Sequence, residues 1–196
     1  NRRFSPYIVR MRELLSKENE PKSVIMTINA GFIPKDHWTQ DPHIGGGRII
    51  GEACHFIDLM QYLISKNIES CNVTSANSKP GSKINFDEAT ITLSFLDGSI
   101  GTIHYFSSGS KAFPKERIEA FCNGGILQLD NFRSLKGYDW NNFNASKSFF
   151  QNKGQLECVN AFTSSIEEGK PSPIPYDEII QTSRLSIEIA DQINQK

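Results

Sequence analysis

A histidine and a carboxylate one helical turn apart, His55 and Glu52, follow three consecutive glycines in Gly45-Gly46-Gly47-Arg48-Ile49-Ile50-Gly51-Glu52-Ala53-Cys54-His55-Phe56-Ile57-Asp58. An imidazole titrates near neutral pH, so it can take or return a proton. Glycines let a backbone approach a ligand closely, and the N–H groups of a helix N-terminus would face that ligand. Arg48, Glu52, His55 and Tyr62 fall along one helical stripe. Two further side chains could bind a polar molecule. Trp38 lies in a long loop and could stack on a sugar or cofactor, and Lys115, like Arg48, could hold hydroxyls or a phosphate. Each has an ordinary alternative. A lone histidine beside apolar residues is more often a hydrogen-bonded core residue, a loop tryptophan can pin its loop, and lysines and arginines are mostly solvated. Glu52-x-x-His55 has the spacing of a bundle metal motif, but the chain has no second Glu-x-x-His, so no metal site is read here. Nor is this a phosphate-binding P-loop, because no Gly-Lys-Ser/Thr follows the glycines.

The elements that must position these residues are legible from periodicity. Ile49, Ile50, Ala53, Ile57, Leu63 and Ile64 recur at helical spacing and give the central helix one buried side. Ser5-Pro6 opens an earlier helix carrying Tyr7, Ile8, Met11, Leu14 and Leu15, which ends before Pro21. Ser23–Ala30 is a β-branched strand, and residues 31–44 form a loop long enough to suggest function. Short strands are predicted at 71–75, 88–95, 100–106, 117–122 and 126–130. Asp97-Gly98 and Asn123-Gly124-Gly125 supply the turns, so the strands read as an antiparallel meander. Thr90, Thr92 and Ser94 alternate with Ala89, Ile91, Leu93 and Phe95, giving the sheet one polar face. Residues 137–155 read as a surface segment. Leu156, Val159, Phe162 and Ile166 form a helical stripe that adds to the core, ending at Gly169, and a last helix begins at Tyr176-Asp177.

Composition narrows the class. The 196 residues are 38% hydrophobic and 22% charged, with a net charge of −1, an ordinary balance for a folded domain. No basic field points to nucleic acid, and no apolar run approaches the ~20 residues of a membrane span. Cys54, Cys71, Cys122 and Cys158 are widely spaced and read as reduced thiols of a cytoplasmic protein. A chain opening Asn1-Arg2-Arg3 without Met reads as a piece of a longer protein. Gly-x-Gly-x-x-Gly is absent, so no dinucleotide-binding half is expected in it.

An ordered set of motifs resembles a known family. Asn1-Arg2-Arg3-Phe4-Ser5-Pro6 comes first, then Trp38-x-x-Asp41-Pro42, Gly45-Gly46-Gly47 and Ala53-Cys54-His55-x-x-Asp58. Asp97-Gly98-Ser99-Ile100-Gly101-Thr102-Ile103, Phe113-Pro114-Lys115-Glu116-Arg117 and Pro171-Ser172-Pro173-Ile174-Pro175-Tyr176 follow. Together they resemble the C-terminal domain of the glucose–fructose oxidoreductase/inositol dehydrogenase/MocA family over essentially the whole chain, most of all members associated with bacterial surface-sugar metabolism.

The resemblance implies an α+β fold: an open, mostly antiparallel sheet with flanking helices. Residues 1–196 would form one substrate domain, with 1–20 the connecting helix from a preceding Rossmann domain absent from this chain. It implies an NAD(P)-dependent oxidoreductase acting on a small-molecule sugar or sugar derivative, with NAD or NADP bound mainly by that preceding domain. His55 takes the place of the family's histidine and is the candidate acid/base, with Trp38, Arg48, Glu52 and Lys115 as candidate substrate contacts. The open sheet face would form a homodimer or larger assembly. Many relatives carry an acid four residues before the histidine. Here that position is Gly51, and Glu52 is turned about 100° from it in an α-helix. Two readings follow, an oxidoreductase domain inactive on its own, or a non-catalytic binding or assembly module that keeps the fold.

Overall fold

The computed structural model describes residues 1–34, 36–41, 43–76, 88–140 and 143–194. Pro42 of the family-like motif and residues 141–142 of the expected surface segment lie outside them. Helix α1 (Pro6–Leu15) begins where the sequence places it, with Pro6 in the first turn. Ser5, however, does not cap the helix with its side chain: its hydroxyl donates to Asn152 O at 2.7 Å.

Eight strands form one sheet among the described residues: β1 (Ser23–Asn29), β2 (Ile68–Ser75), β3 (Ala89–Phe95), β4 (Ile100–Phe106), β5 (Glu116–Cys122), β6 (Gly125–Asp130), β7 (Ser134–Tyr138) and β8 (Ser146–Lys147). Their order is β2-β3-β4-β1-β5-β6-β7-β8. The fold is therefore α+β with an open, mostly antiparallel sheet, as expected. It is not a simple meander. β1 inserts between β4 and β5, parallel to the first and antiparallel to the second. Local turn signals cannot reveal such a pairing, because neither neighbour of β1 is near it in sequence. β7, paired with β6, runs into the stretch read as surface, and β8 lies within it. Asn123 and Gly124, both at positive φ, close the β5–β6 hairpin, the backbone a two-residue type I′ turn demands.

Alternation sets the faces. Val24, Met26, Ile28, Ile91, Leu93, Ile103, Tyr105, Ile118, Ala120, Leu127 and Leu129 are buried in one core with α1 and α2 (Cys54–Ile64). Thr90, Thr92, Ser94, Thr102 and His104 are half-buried on the other face, where Ile100, Phe106 and Phe121 are exposed. An isolated helix of α2's 11 residues would be marginal in water. Phe56, Ile57, Leu59, Met60 and Leu63 stabilise it by full burial, at roughly 1.5–3 kcal/mol each. Gly101 admits it to the sheet: a Cβ there would meet Met60 Sδ at 2.6 Å.

Helix α4 (Tyr176–Asn194) buries Leu185, Ile189, Ala190 and Ile193, and its partners include α2. Helix α3 (Gln155–Glu167) differs. Its apolar stripe forms as expected but points outward, and Ser165 is its one buried residue. No described helix is long and apolar enough to cross a membrane.

Candidate functional site

Between the glycines and α2 the backbone forms a π turn, Ile49–Ala53, in which Cys54 N–H donates to Ile49 O five residues back. Such turns are rare and frequent at functional sites. Gly51 and Glu52 both lie inside it, so the 100° step expected between them, a property of an α-helix, does not apply.

The glycines have a different task from the one expected. Gly46 (φ +69°) and Gly47 (φ +82°) take left-handed conformations. The N–H groups of Gly45 and Gly46 both donate to Asp41 O, at 2.9 and 3.0 Å, while the Asp41 carboxylate accepts from His43 N and Ile44 N. Two N–H groups of the glycine loop are thus engaged within the turn, beside an acid that would repel a phosphate. This loop does not fit the pyrophosphate of a dinucleotide.

Three of the expected residues come together around Glu52. Its Oε1 accepts from Lys115 Nζ at 2.5 Å, and its Oε2 accepts from Arg48 Nη2 at 3.0 Å and from the Tyr105 hydroxyl at 2.6 Å. Arg48 is anchored further by donating to Gly31 O and Ala30 O at the end of β1, and it lies over the Tyr105 ring, 5.3 Å from its centre. The cluster therefore ties the π turn to the ends of β1 and β4 and to the start of β5. Burial alone would raise the Glu52 carboxyl, but Lys115, Tyr105 and Arg48 outweigh it and hold the group at about 2. Glu52 is a fixed anion between two cations. Only Lys115, 37% exposed at its side chain, offers the cluster's charge freely to solvent.

His55 stands apart. Among the described residues its ring makes no side-chain hydrogen bond, so the core-histidine alternative lacks its usual hydrogen bond. Burial lowers its pKa below 6.5 and the nearby Arg2 guanidinium lowers it further, against weaker opposing pulls from Glu52 and Asp58. The imidazole is therefore neutral at physiological pH and available to accept a proton.

Residues that periodicity did not single out fix its surroundings. Arg2 donates to Glu116 Oε1 from Nη2 at 2.7 Å and Nε at 3.1 Å, and lies 4.6 Å above the Phe56 ring. Fully buried Glu116 also meets Lys153 at 2.7 Å, as an ion pair whose geometry is not that of a hydrogen bond. Arg3 joins Asp58 of α2 to Glu178 of α4, the latter at 2.7 Å, and lies over Tyr62. Tyr105 could have been found from sequence, because a tyrosine on the buried side of a strand needs a partner for its hydroxyl. Arg2 and Glu116 stand in two of the family-like motifs, but nothing local marks them as a pair.

Trp38 is not gathered into the cluster. It starts a short 3-10 turn, Trp38–Gln40, that lies against Gly45, where a Cβ would meet Trp38 O at 2.6 Å. Its side chain is 61% exposed, so the indole does not pin the loop to the core. Two surface cavities, about 330 Å³ beside Trp140 and about 520 Å³ between β2 and α4, are lined by neither Glu52, His55 nor Lys115.

Solved structures share this fold at low identity. An NAD binding oxidoreductase from Klebsiella pneumoniae matches with a TM-score of 0.80 at 15% identity, over 98% of this chain and 62% of that one. An aldose-aldose oxidoreductase from Caulobacter crescentus matches at 0.77 and 12%, over 97% and 60%. A UDP-N-acetylglucosamine 3-dehydrogenase from Acidithiobacillus ferrooxidans matches at 0.70 and 16%, over 98% and 58%. The chain thus spans about three fifths of the length of the solved structures it matches. No curated protein matches it. A family model described as the GFO/IDH/MocA C-terminal domain matches residues 10–128, more than half of the chain. With that match and this sheet topology, the chain belongs to the GFO/IDH/MocA C-terminal domain family.

Proposed function

We propose that this chain is the substrate-binding and oligomerisation domain of an NAD(P)-dependent oxidoreductase acting on a sugar or sugar derivative in surface-polysaccharide metabolism. A dinucleotide-binding domain precedes Asn1 in this reading, and residues 1–20 connect the two. The observation that carries it is His55, whose ring makes no side-chain hydrogen bond among the described residues, three residues from an anion locked between two cations. The sugar-acting structural relatives support the substrate class.

Oxidation of a secondary alcohol to a ketone breaks the C–H bond as hydride and the O–H bond as a proton. The nicotinamide, held outside this chain, supplies the hydride chemistry. His55 accepts the hydroxyl proton and returns it in the reverse direction. Lys115, fixed by Glu52, donates to substrate oxygens. Glu52 itself does not exchange protons, because a carboxyl held near 2 stays ionised at working pH. Trp38, exposed beside the glycine turn, offers an apolar ring face to a sugar. The open sheet face, with exposed Ile100, Phe106 and Phe121, would pair with a second copy. Gly51, where many relatives have an acid, favours the second reading, a binding or assembly module.

The test is to assay the full-length protein with NAD⁺ and NADP⁺ against aldoses, inositols and nucleotide sugars. Reduced nicotinamide should appear with at least one, while residues 1–196 alone should turn over none. If the full-length protein binds no dinucleotide and oxidises nothing, the module reading prevails. NADH binding to residues 1–196 tighter than roughly 100 μM, about −5.5 kcal/mol, would put the cofactor site in this chain and overturn the assignment.

A further inference from the structure

Helix α3 is built inside out. Leu156, Val159, Phe162 and Ile166 are spaced by three or four residues, share one face, and are each 55–69% exposed. Thr163 lies between them and turns its hydroxyl back onto Val159 O and Asn160 O, both at 3.1 Å. The inward side is small: Cys158 and Ala161 are half-buried and Ser165 is buried. Ser165 is one residue from Ile166 and so turned about 100° away from it. A 13-residue helix is marginal in water on its own, and the only described element it packs on substantially is the Arg2–Phe4 turn. An uncharged stripe of four large side chains on such a helix requires a cover.

We infer that this face of α3 is the docking surface for the domain preceding Asn1, an inference that rests on the two-domain reading above. The first residues of the chain are fastened to the start of α3. Asn1 Nδ2 donates to Lys153 O at 2.9 Å, Ser5 Oγ donates to Asn152 O, and Gly154 precedes the first helical residue. Chain entering at Asn1 therefore emerges beside this helix, and a compact domain at that point lies within reach of the stripe. The solved structures of this fold extend beyond the match by about two fifths of their length, which is room for such a domain. Phe149 and Phe150, 94% and 83% exposed on the approach to α3, extend the apolar surface. Inter-domain contacts typically bury about 600–1,500 Å².

The experiment compares hydrogen exchange in the full-length protein and in residues 1–196. Amides of α3 should exchange roughly ten-fold or more slowly in the full-length protein, with β3–β6 alike in both. The double variant Val159→Glu/Phe162→Glu should abolish that difference while β3–β6 stay protected, which shows that the variant still folds. Equal α3 exchange in the two wild-type proteins overturns the inference. So does α3 protection in residues 1–196 that grows with protein concentration, since a second copy would then be the cover. Binding of NADH or NADPH by the full-length protein separates the two claims. Binding with unprotected α3 sinks the docking surface alone, whereas protected α3 without binding sinks the oxidoreductase reading alone.

Discussion

Glu52 and His55 are three residues apart, and both have pKa values below their ordinary ones, for opposite reasons. At Glu52 burial is overcome by Lys115, Tyr105 and Arg48, so folding favours the charged form. At His55 burial and Arg2 act together, so folding favours the neutral form. One end of this segment is thus a finished electrostatic structure, and the other is a ring with no side-chain hydrogen bond among the described residues. Interactions completed within the fold contribute to stability, while the proposed acid/base role needs a ring that such bonds do not occupy. The π turn separates the two roles over a few residues of backbone.

The largest test of this contrast removes each group in turn. In the full-length protein, on the proposed oxidoreductase reading, His55→Ala should lower kcat about 10²–10⁴-fold and shift the urea midpoint little. Glu52→Ala should do the reverse in kind, destabilising the fold by about 3–5 kcal/mol, because the buried Arg48 loses its carboxylate partner. Urea titration of both variants checks this. If Glu52→Ala is as stable as the wild type, the cluster is not the strut described.

A smaller effect should appear in pH. The Glu52 carboxyl moves from 4.5 to about 2, so its stabilisation is complete above 4.5 and is lost as pH falls toward 2. The amount is about 2–3 kcal/mol, after discounting for the solvent around Lys115. The His55 pKa is also depressed, so its neutral folded form contributes above 6.5, and that contribution declines as pH drops below 6.5. Stability curves of Glu52→Gln and His55→Gln should lose the lower and the upper window respectively. A shared window would mean that the two groups titrate as one.

The smallest effect concerns Gly51. Its φ is not positive, and the nearest atom to an added Cβ is Gly45 O at 3.9 Å. Gly51→Asp should therefore change stability by no more than about 0.5 kcal/mol. It should raise the His55 pKa by placing an anion one turn away, as an NMR titration of the ring would show. A pKa left where it was would separate position 51 from the histidine.

Much of this architecture is legible in the residues. Alternation in Ala89–Phe95 and the period of Ile49, Ala53, Ile57, Leu63 and Ile64 name buried faces, because burial on one side leaves its period in the sequence. Ile50, read with them, is half-buried, and Phe56, Leu59 and Met60 were missed. Arg48, Glu52 and Lys115 could be named as candidates by residue type, but not their union, which depends on where β5 begins beside β1. The π turn was hidden, since i→i−5 bonding is chosen by tertiary packing and not by composition. The stripe of α3 was legible and its direction was not: periodicity shows that a face is apolar, not what covers it.

The insertion of β1 also matters for how the chain reaches this state. Ser23 pairs with Ile100 on one side and with Phe121 on the other, so the centre of the sheet closes only across long stretches of chain. Such non-local pairing slows folding, because loop-closure entropy is lost before the contacts form. The β5–β6 and β6–β7 hairpins can form early from neighbours. During synthesis, Val24, Met26 and Ile28 would wait with both strand edges bare until most of the sheet has left the ribosome. An exposed apolar strand in that interval is an aggregation hazard, so yield during expression, more than final stability, would register substitutions in β1.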